Sequence, residues 1–453
     1  MAPHSTNGIP THLLMWQRVR EYAVPPSMIE TATARRAVGD WAGACAAARI
    51  DVDLDLRAVR DRYGTEFATR LRADLRRLAP DLLRWHMPRI APDGRLRPGL
   101  TLSLASYRRS GAGTVHLVVR TPPARADAGQ RMSLALWDGP GGDAPGHHPH
   151  PHPDRRFRLD LHRHLWDAGL SGELARRCGG SEGPWAVARW ADEAELLLRA
   201  EGLPRGAFTV RLGARSRAVL ELVAPDDSHA PTYRPLPEAL PPQEVAALPV
   251  LPEAAARVLP DLELLRAGLV AAGRLHPLVA AALAVSAPVA ASGPVPEPGD
   301  PHRVECRGEV HRIALRDGVL TAIDHEPAQL RREDLLVALG GPPLPCLRAI
   351  DAVHRDPQAL PAVRERLRHG DVLGALAVVE GLLGPAAVLR DGPLRDELES
   401  AASRRIDHGL FRSGLVDEHP AARGHRPRLD RRTPLVIRRK RSSRGRPRAG
   451  LPV

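Results

Sequence analysis

One lysine, Lys440, stands among 453 residues and 64 arginines, and Asn7 is the single asparagine. A phosphate-binding P-loop requires GxxxxGK[ST], whereas Lys440 lies within Arg438-Arg439-Lys440-Arg441. The strand lysine of protein kinases and the Schiff-base lysine of pyridoxal enzymes have no candidate either. GxGxxG is missing. His325-Glu326 begins like HExxH, but Pro327 follows and Gln329 occupies the place of the second histidine. Aromatic residues are scarce, with four Phe, four Tyr and seven Trp, so Leu, Val and Ala must fill the core. Such a composition is what GC-rich codons produce, and not every arginine need be functional.

Cysteine is nearly as sparse. Cys45, Cys178, Cys306 and Cys346 form no CxxC pair and no disulfide framework. Long apolar runs are missing as well. The best stretch, Leu275 to Ala291, is bounded by Arg274 and interrupted by His276, Pro277 and Pro288. It falls short of the ~20 residues a membrane span needs and reads as a buried helix. The start, Met1-Ala2-Pro3-His4-Ser5, carries no basic segment followed by an apolar run. A cytoplasmic protein with no membrane partner is the expectation.

The net charge of +12 is local. Residues 423–448 hold twelve basic residues and one acid, Asp430, which leaves about +1 for the rest of the chain. Any electrostatic attraction to nucleic acid therefore rests on the tail.

The hydrophobic period changes along the chain. Residues 12–90 read as helical, with Leu71, Leu75, Leu78, Leu82 and Leu83 at helical spacing and Pro80 opening a new helix or a kink. Alternation at Leu100, Leu102, Leu104 and at Val115, Leu117, Val119 predicts a hairpin, and Ser133–Trp137 another strand. Helix is expected from about 161 to 201, then a second hairpin over 208–222. Prolines crowd 225–252 and 287–301 and mark linkers. A hairpin over 303–324, turning at Arg316-Asp317-Gly318, precedes helices over 327–416. The fold class is α+β: helical hairpins plus small antiparallel sheets, with Pro-rich linkers and a disordered basic C-terminal tail. The divisions are an N-terminal α+β domain over 1–224, a linker over 225–252, a short helical segment over 253–286 and a linker over 287–301. A hairpin-plus-helix domain over 302–418 and the tail, 419–453, complete them.

One local echo is present. Gly39-Asp40-Trp41-Ala42-Gly43-Ala44 matches Gly370-Asp371-Val372-Leu373-Gly374-Ala375. Glycine ends one helix and Asp caps the next. The segment resembles the inter-helix turn of tetratricopeptide hairpins, without their 34-residue period, and predicts two independent helical hairpins. Ala34–Ala48, Cys306-Arg307-Gly308 and His311-Arg312-Ile313 together resemble a conserved, uncharacterised protein of high-GC actinobacteria. That resemblance implies no activity.

Candidate chemistry is limited. His147, His148, His150 and His152 can offer imidazoles to zinc or nickel, with Asp154, His162 and His164 nearby. Interleaved prolines make a solvated loop the expected role of this tract. Asp51, Asp53 and Asp55 alternate as on a strand, but Leu56 and Arg62 stand where a calcium loop needs Gly and Glu; a solvated acidic face is expected. Cys306 and His311, with Asp324 and His325 across the hairpin, can form a thiol–imidazole–carboxylate group; a buried cysteine is the plainer role for Cys306. No cofactor is called for. In the tail, Arg444-Gly445-Arg446-Pro447-Arg448 resembles the core of an AT-hook, with Arg438, Arg439, Lys440 and Arg441 placed for phosphates. The leading expectation is a non-enzymatic interaction or scaffold protein of unknown protein partner. The alternatives are binding of DNA or RNA through the tail, and an enzyme using the Cys306/His311 hairpin.

Overall fold

A computed structural model describes residues 9–415 except 110–112, 128, 140–147, 149, 179–182, 215, 224–229, 237–239, 284–301, 317–318, 356–358, 384–388 and 390. The chain is α+β. Helix α1 (Thr11–Arg18) runs into a π-helical turn at Val19–Ala23 and is followed by α2 (Pro26–Ala37) and α3 (Trp41–Ala47). Strand β1 (Ile50–Val52) precedes α4 (Leu56–Tyr63), α5 (Thr65–Arg77) and α6 (Pro80–His86). Pro26 and Pro80 begin their helices, where no intrahelical N–H is needed. The hairpin β2 (Arg89–Ile90) and β3 (Arg95–Leu96) leads to β4 (Thr101–Arg108), β5 (Thr114–Arg120) and β6 (Met132–Trp137). The sheet order is β1-β6-β5-β4, with β1 parallel to β6 and the other pairs antiparallel. Leu71, Leu75 and Leu78 with Leu82, Leu83 and Trp85 pack against Leu102, Leu104, Leu117, Val119 and Leu134 of this sheet.

The purely helical reading of 12–90 misses β1, because three residues carry too little alternation to register against helical neighbours. The acidic face expected to be solvated is instead paired. Asp51 accepts from Arg131 and lies 3.4 Å from His408 Nε2, while Asp53 accepts from Arg412 at 2.8 Å. Asp55 caps α4, accepting the N–H of Arg57 at 2.8 Å.

Helices α7 (Leu174–Arg177) and α8 (Trp190–Ala200) lead to β7 (Gly206–Arg211), β8 (Arg217–Val223) and β9 (Thr232–Pro235). Then come α9 (Pro242–Ala247) and α10 (Glu253–Ala256). Trp190, Ala194, Leu198, Phe208, Val210, Leu220 and Leu251 form a second core here. The helix expected over 161–201 is broken into short turns before α8. The first Pro-rich stretch holds β9 and α9, whose prolines stand at a strand end and in a first helical turn, positions that tolerate a missing donor.

Helices α11 (Pro260–Arg266) and α12 (Pro277–Ala282) return to the first core through Leu259, Leu264, Leu275 and Val279. Asp261 is the polar centre of that return. It is fully buried and accepts from Arg20 Nη2 and from Trp85 Nε1, each at 2.7 Å. The Arg20 guanidinium lies 4.2 Å from the Trp85 ring centroid. Removing one partner of a buried pair strands the other charge at a cost of about 3–5 kcal/mol. Asp261→Ala is therefore expected to lower the free energy of urea unfolding by that amount. A loss under ~1 kcal/mol would show that Arg20 finds water or another acceptor.

Strands β10 (His302–Cys306), β11 (Glu309–Arg316) and β12 (Val319–Ala322) form an antiparallel meander, followed by α13 (Pro327–Ala338) and α14 (Pro345–Arg355). The predicted β11–β12 hairpin is present, its turn at Asp317-Gly318 lying outside the described residues. Helices α15 (Leu360–Arg368), α16 (Val372–Leu383) and α17 (Pro393–Arg412) complete the described chain. The two echoing segments are both helix–turn–helix units: Asp40 accepts the N–H of Gly43 at 2.8 Å, and Asp371 that of Gly374 at 3.2 Å. Among the described residues no helix is long and apolar enough to cross a membrane.

Candidate metal centre

The β10–β11 turn sets the geometry of the site. Arg307 and Gly308 both have positive φ, 58° and 85°, as a two-residue hairpin of type I′ requires. This turn pairs Cys306 with Glu309 and Val304 with His311. Alternation then puts Cys306, His311 and Ile313 on the face that meets α14. Cys346 enters that face from the first turn of α14, and His325 from the segment between β12 and α13.

Cys306, His325 and Cys346 converge, each buried, with their ligand atoms all within 4.8 Å of one another. Around a tetrahedral zinc with Zn–S about 2.3 Å and Zn–N about 2.0–2.1 Å, donor atoms stand roughly 3.3–3.8 Å apart, which small side-chain adjustments reach from here. His311 flanks the group, its ring centroid 4.2 Å from that of His325.

The imidazoles are oriented for ligation. His325 Nδ1 faces Gln329 Oε1 at 3.4 Å, and its Nε2 is buried without a partner. His311 Nε2 faces Glu309 at 3.5 Å, and its Nδ1 is buried without a partner. In each ring one nitrogen faces an outer acceptor and the other is buried without a partner; His325 belongs to the converging group and His311 lies beside it. Without a cation, burial and then the neighbouring Cys306 thiol push Cys346 up to about 11. A divalent ion would reverse that preference, since a coordinating thiol is deprotonated outright. The N-terminal position of Cys346 on α14 acts in the same direction.

The proposed thiol–imidazole–carboxylate group is corrected in one member. Asp324 accepts the backbone N–H of Arg312 at 2.7 Å and the guanidinium of the same residue at 2.6 Å. This bidentate pair occupies the carboxylate, which therefore orients neither histidine. The sequence reading joined Cys306 to His325 but missed Cys346, 21 positions further on and outside any short metal-binding spacing.

The histidine tract does not converge among the described residues. His147 lies outside them. His148 Nε2 lies 2.8 Å from the Thr121 carbonyl, and His152 meets Trp137 edge-on at 5.7 Å. His150 packs against Gly99. Further along, His162 pairs with Glu193 at 3.0 Å and Asp154 with Arg156, so neither extends the tract into a ligand set. No protein-family model matches the chain, and neither the curated proteins nor the solved structures contain a detectable relative. The tail residues Arg438, Arg439, Lys440, Arg441, Arg444, Gly445, Arg446, Pro447 and Arg448 lie outside the described residues.

Proposed function

We propose that this is a zinc-binding, non-enzymatic interaction protein in which Cys306, His311, His325 and Cys346 hold a structural ion. The supporting observation is the convergence of two buried thiols with His325, beside which His311 lies, one nitrogen of each ring being buried without a partner. Two thiolates and two imidazoles suit zinc, and four protein donors close the coordination sphere. A hydrolytic zinc would need one position open to water and substrate. Cys306 and Cys346 are 0% exposed and His325 is 8% exposed, which favours the closed structural role. The ion would tie the meander to α14 and leave the helical hairpins to meet a protein partner.

The test is elemental analysis of full-length protein purified without a metal-affinity step. About one zinc per chain is expected, with near-complete loss in Cys346→Ser and His325→Ala. The rival chemistry is a Cys306–Cys346 disulfide, which mass spectrometry reads as the loss of two hydrogens. Zinc-free protein carrying that bond would overturn the assignment.

A further inference from the structure

The two echoing hairpins, α2–α3 and α15–α16, face a common cleft of about 790 Å³ that α17 also lines. Five guanidiniums line it, from Arg49, Arg131, Arg366, Arg404 and Arg405, against one carboxylate, Asp371. Asp371 is already shared between Arg366 at 2.9 Å and Arg49 at 3.1 Å. Arg131 turns to Asp51, and Arg404 donates to Ser400 Oγ at 2.8 Å. Arg405 has no carboxylate in reach among the described residues, and the Nε of Arg366 is buried without a partner. Behind Arg49, the fully buried Arg84 donates only to the carbonyls of Ala23 and Ala48, and its Nη2 has no partner. Burial, then the neighbouring Arg49, Arg89 and Arg131, hold the Arg84 guanidinium well below its ordinary range.

An excess of cations around a concave site of this size is a receptor for anions. Guanidinium forks match phosphate oxygens in pairs, and several converging forks favour a ligand with more than one phosphate. Apart from Ser27 and Thr31, the rest of the wall is apolar. Leu373, 81% exposed, and Leu376, 38% exposed, line the same cleft and offer contact to an organic portion.

We propose that this cleft binds a small molecule carrying a diphosphate group, its charged end on Arg131, Arg366, Arg404 and Arg405. Free inorganic diphosphate and an organic diphosphate share that chemistry. The assignment is independent of the metal centre.

The experiment is isothermal titration calorimetry of the full chain at near-physiological salt with two probes, pyrophosphate and adenosine diphosphate. The variants are Arg404→Glu/Arg405→Glu and Leu373→Ala. On α17, Arg405 is exposed and Arg404 half-buried, and circular dichroism checks that each variant folds. Saturable single-site binding is expected in the wild type, weakened by about tenfold or more in the arginine variant. Leu373→Ala separates the sources: an organic ligand loses affinity there, whereas pyrophosphate does not. The basic tail also attracts polyanions, so the cleft is read from the difference between wild type and variant. Equal affinity in both would place all binding in the tail and overturn the proposal, as would an absence of saturable binding at millimolar probe.

Discussion

Chelation of the metal, or Cys346→Ser, is expected to erase amide-exchange protection over residues 302–355 while leaving the core of residues 9–283 protected. The buried core of this module consists of Cys306, Ile313, Ala322, Leu344, Cys346 and Ile350. Burying a large aliphatic side chain contributes about 1.5–3 kcal/mol, and only Ile313, Leu344 and Ile350 qualify. Ordering each residue of the module costs about 1–2 kcal/mol in backbone entropy. The balance is unfavourable without a staple, as in other small units. Structural zinc supplies apparent free energies of about 10–16 kcal/mol near neutral pH, the scale that is needed. Hydrogen exchange read by mass spectrometry, with and without chelator, measures this region by region. Undiminished protection over 302–355 in chelated protein would show that contacts with the rest of the chain hold the module, and would sink a structural role for the ion.

The same residues show what a single sequence discloses. Cys306, His311 and His325 were legible as a group because a hairpin can be read from alternation and a turn, and a hairpin brings residues about 20 apart into contact. Cys346 was not, because its approach depends on how α14 packs across the sheet, a tertiary choice without local periodicity. Asp324 was misplaced for a related reason. Arg312, a diagonal neighbour on the facing strand, takes both carboxylate oxygens, and that bidentate pair prevails over an imidazole. The long amphipathic α5 was legible from its leucines, whereas the three-residue β1 was not. Asp51 and Asp53 looked solvated because their partners, Arg131 just before β6 and His408 and Arg412 on α17, lie up to 359 positions away.

The paired turns allow the largest conformational prediction, made as a difference between two like substitutions. Gly39 and Gly370 both have φ of +78° and each is followed by a capping Asp. An alanine at either position meets the same left-handed backbone, worth about 1 kcal/mol. Around Gly39 an added Cβ has nothing within 4 Å, so Gly39→Ala is expected to cost about 1 kcal/mol and no more. Around Gly370 the same Cβ would stand 2.2 Å from the carbonyl oxygen of Gly129 and 2.9 Å from its carbon. Those are backbone atoms and cannot swing aside as a side chain would. Relief requires the α15–α16 hairpin to retreat from the N-terminal body. That retreat loosens Arg49, which donates to the His369 carbonyl at 2.6 Å and to Asp371 at 3.1 Å. Overpacking of this kind adds about 1–3 kcal/mol, so Gly370→Ala is expected to cost roughly 2–4 kcal/mol. Urea unfolding of both variants gives the difference directly, with the shared backbone strain cancelling. Equal losses would mean that α15–α16 does not sit on Gly129 in solution, and the cleft between the two hairpins would lose its wall.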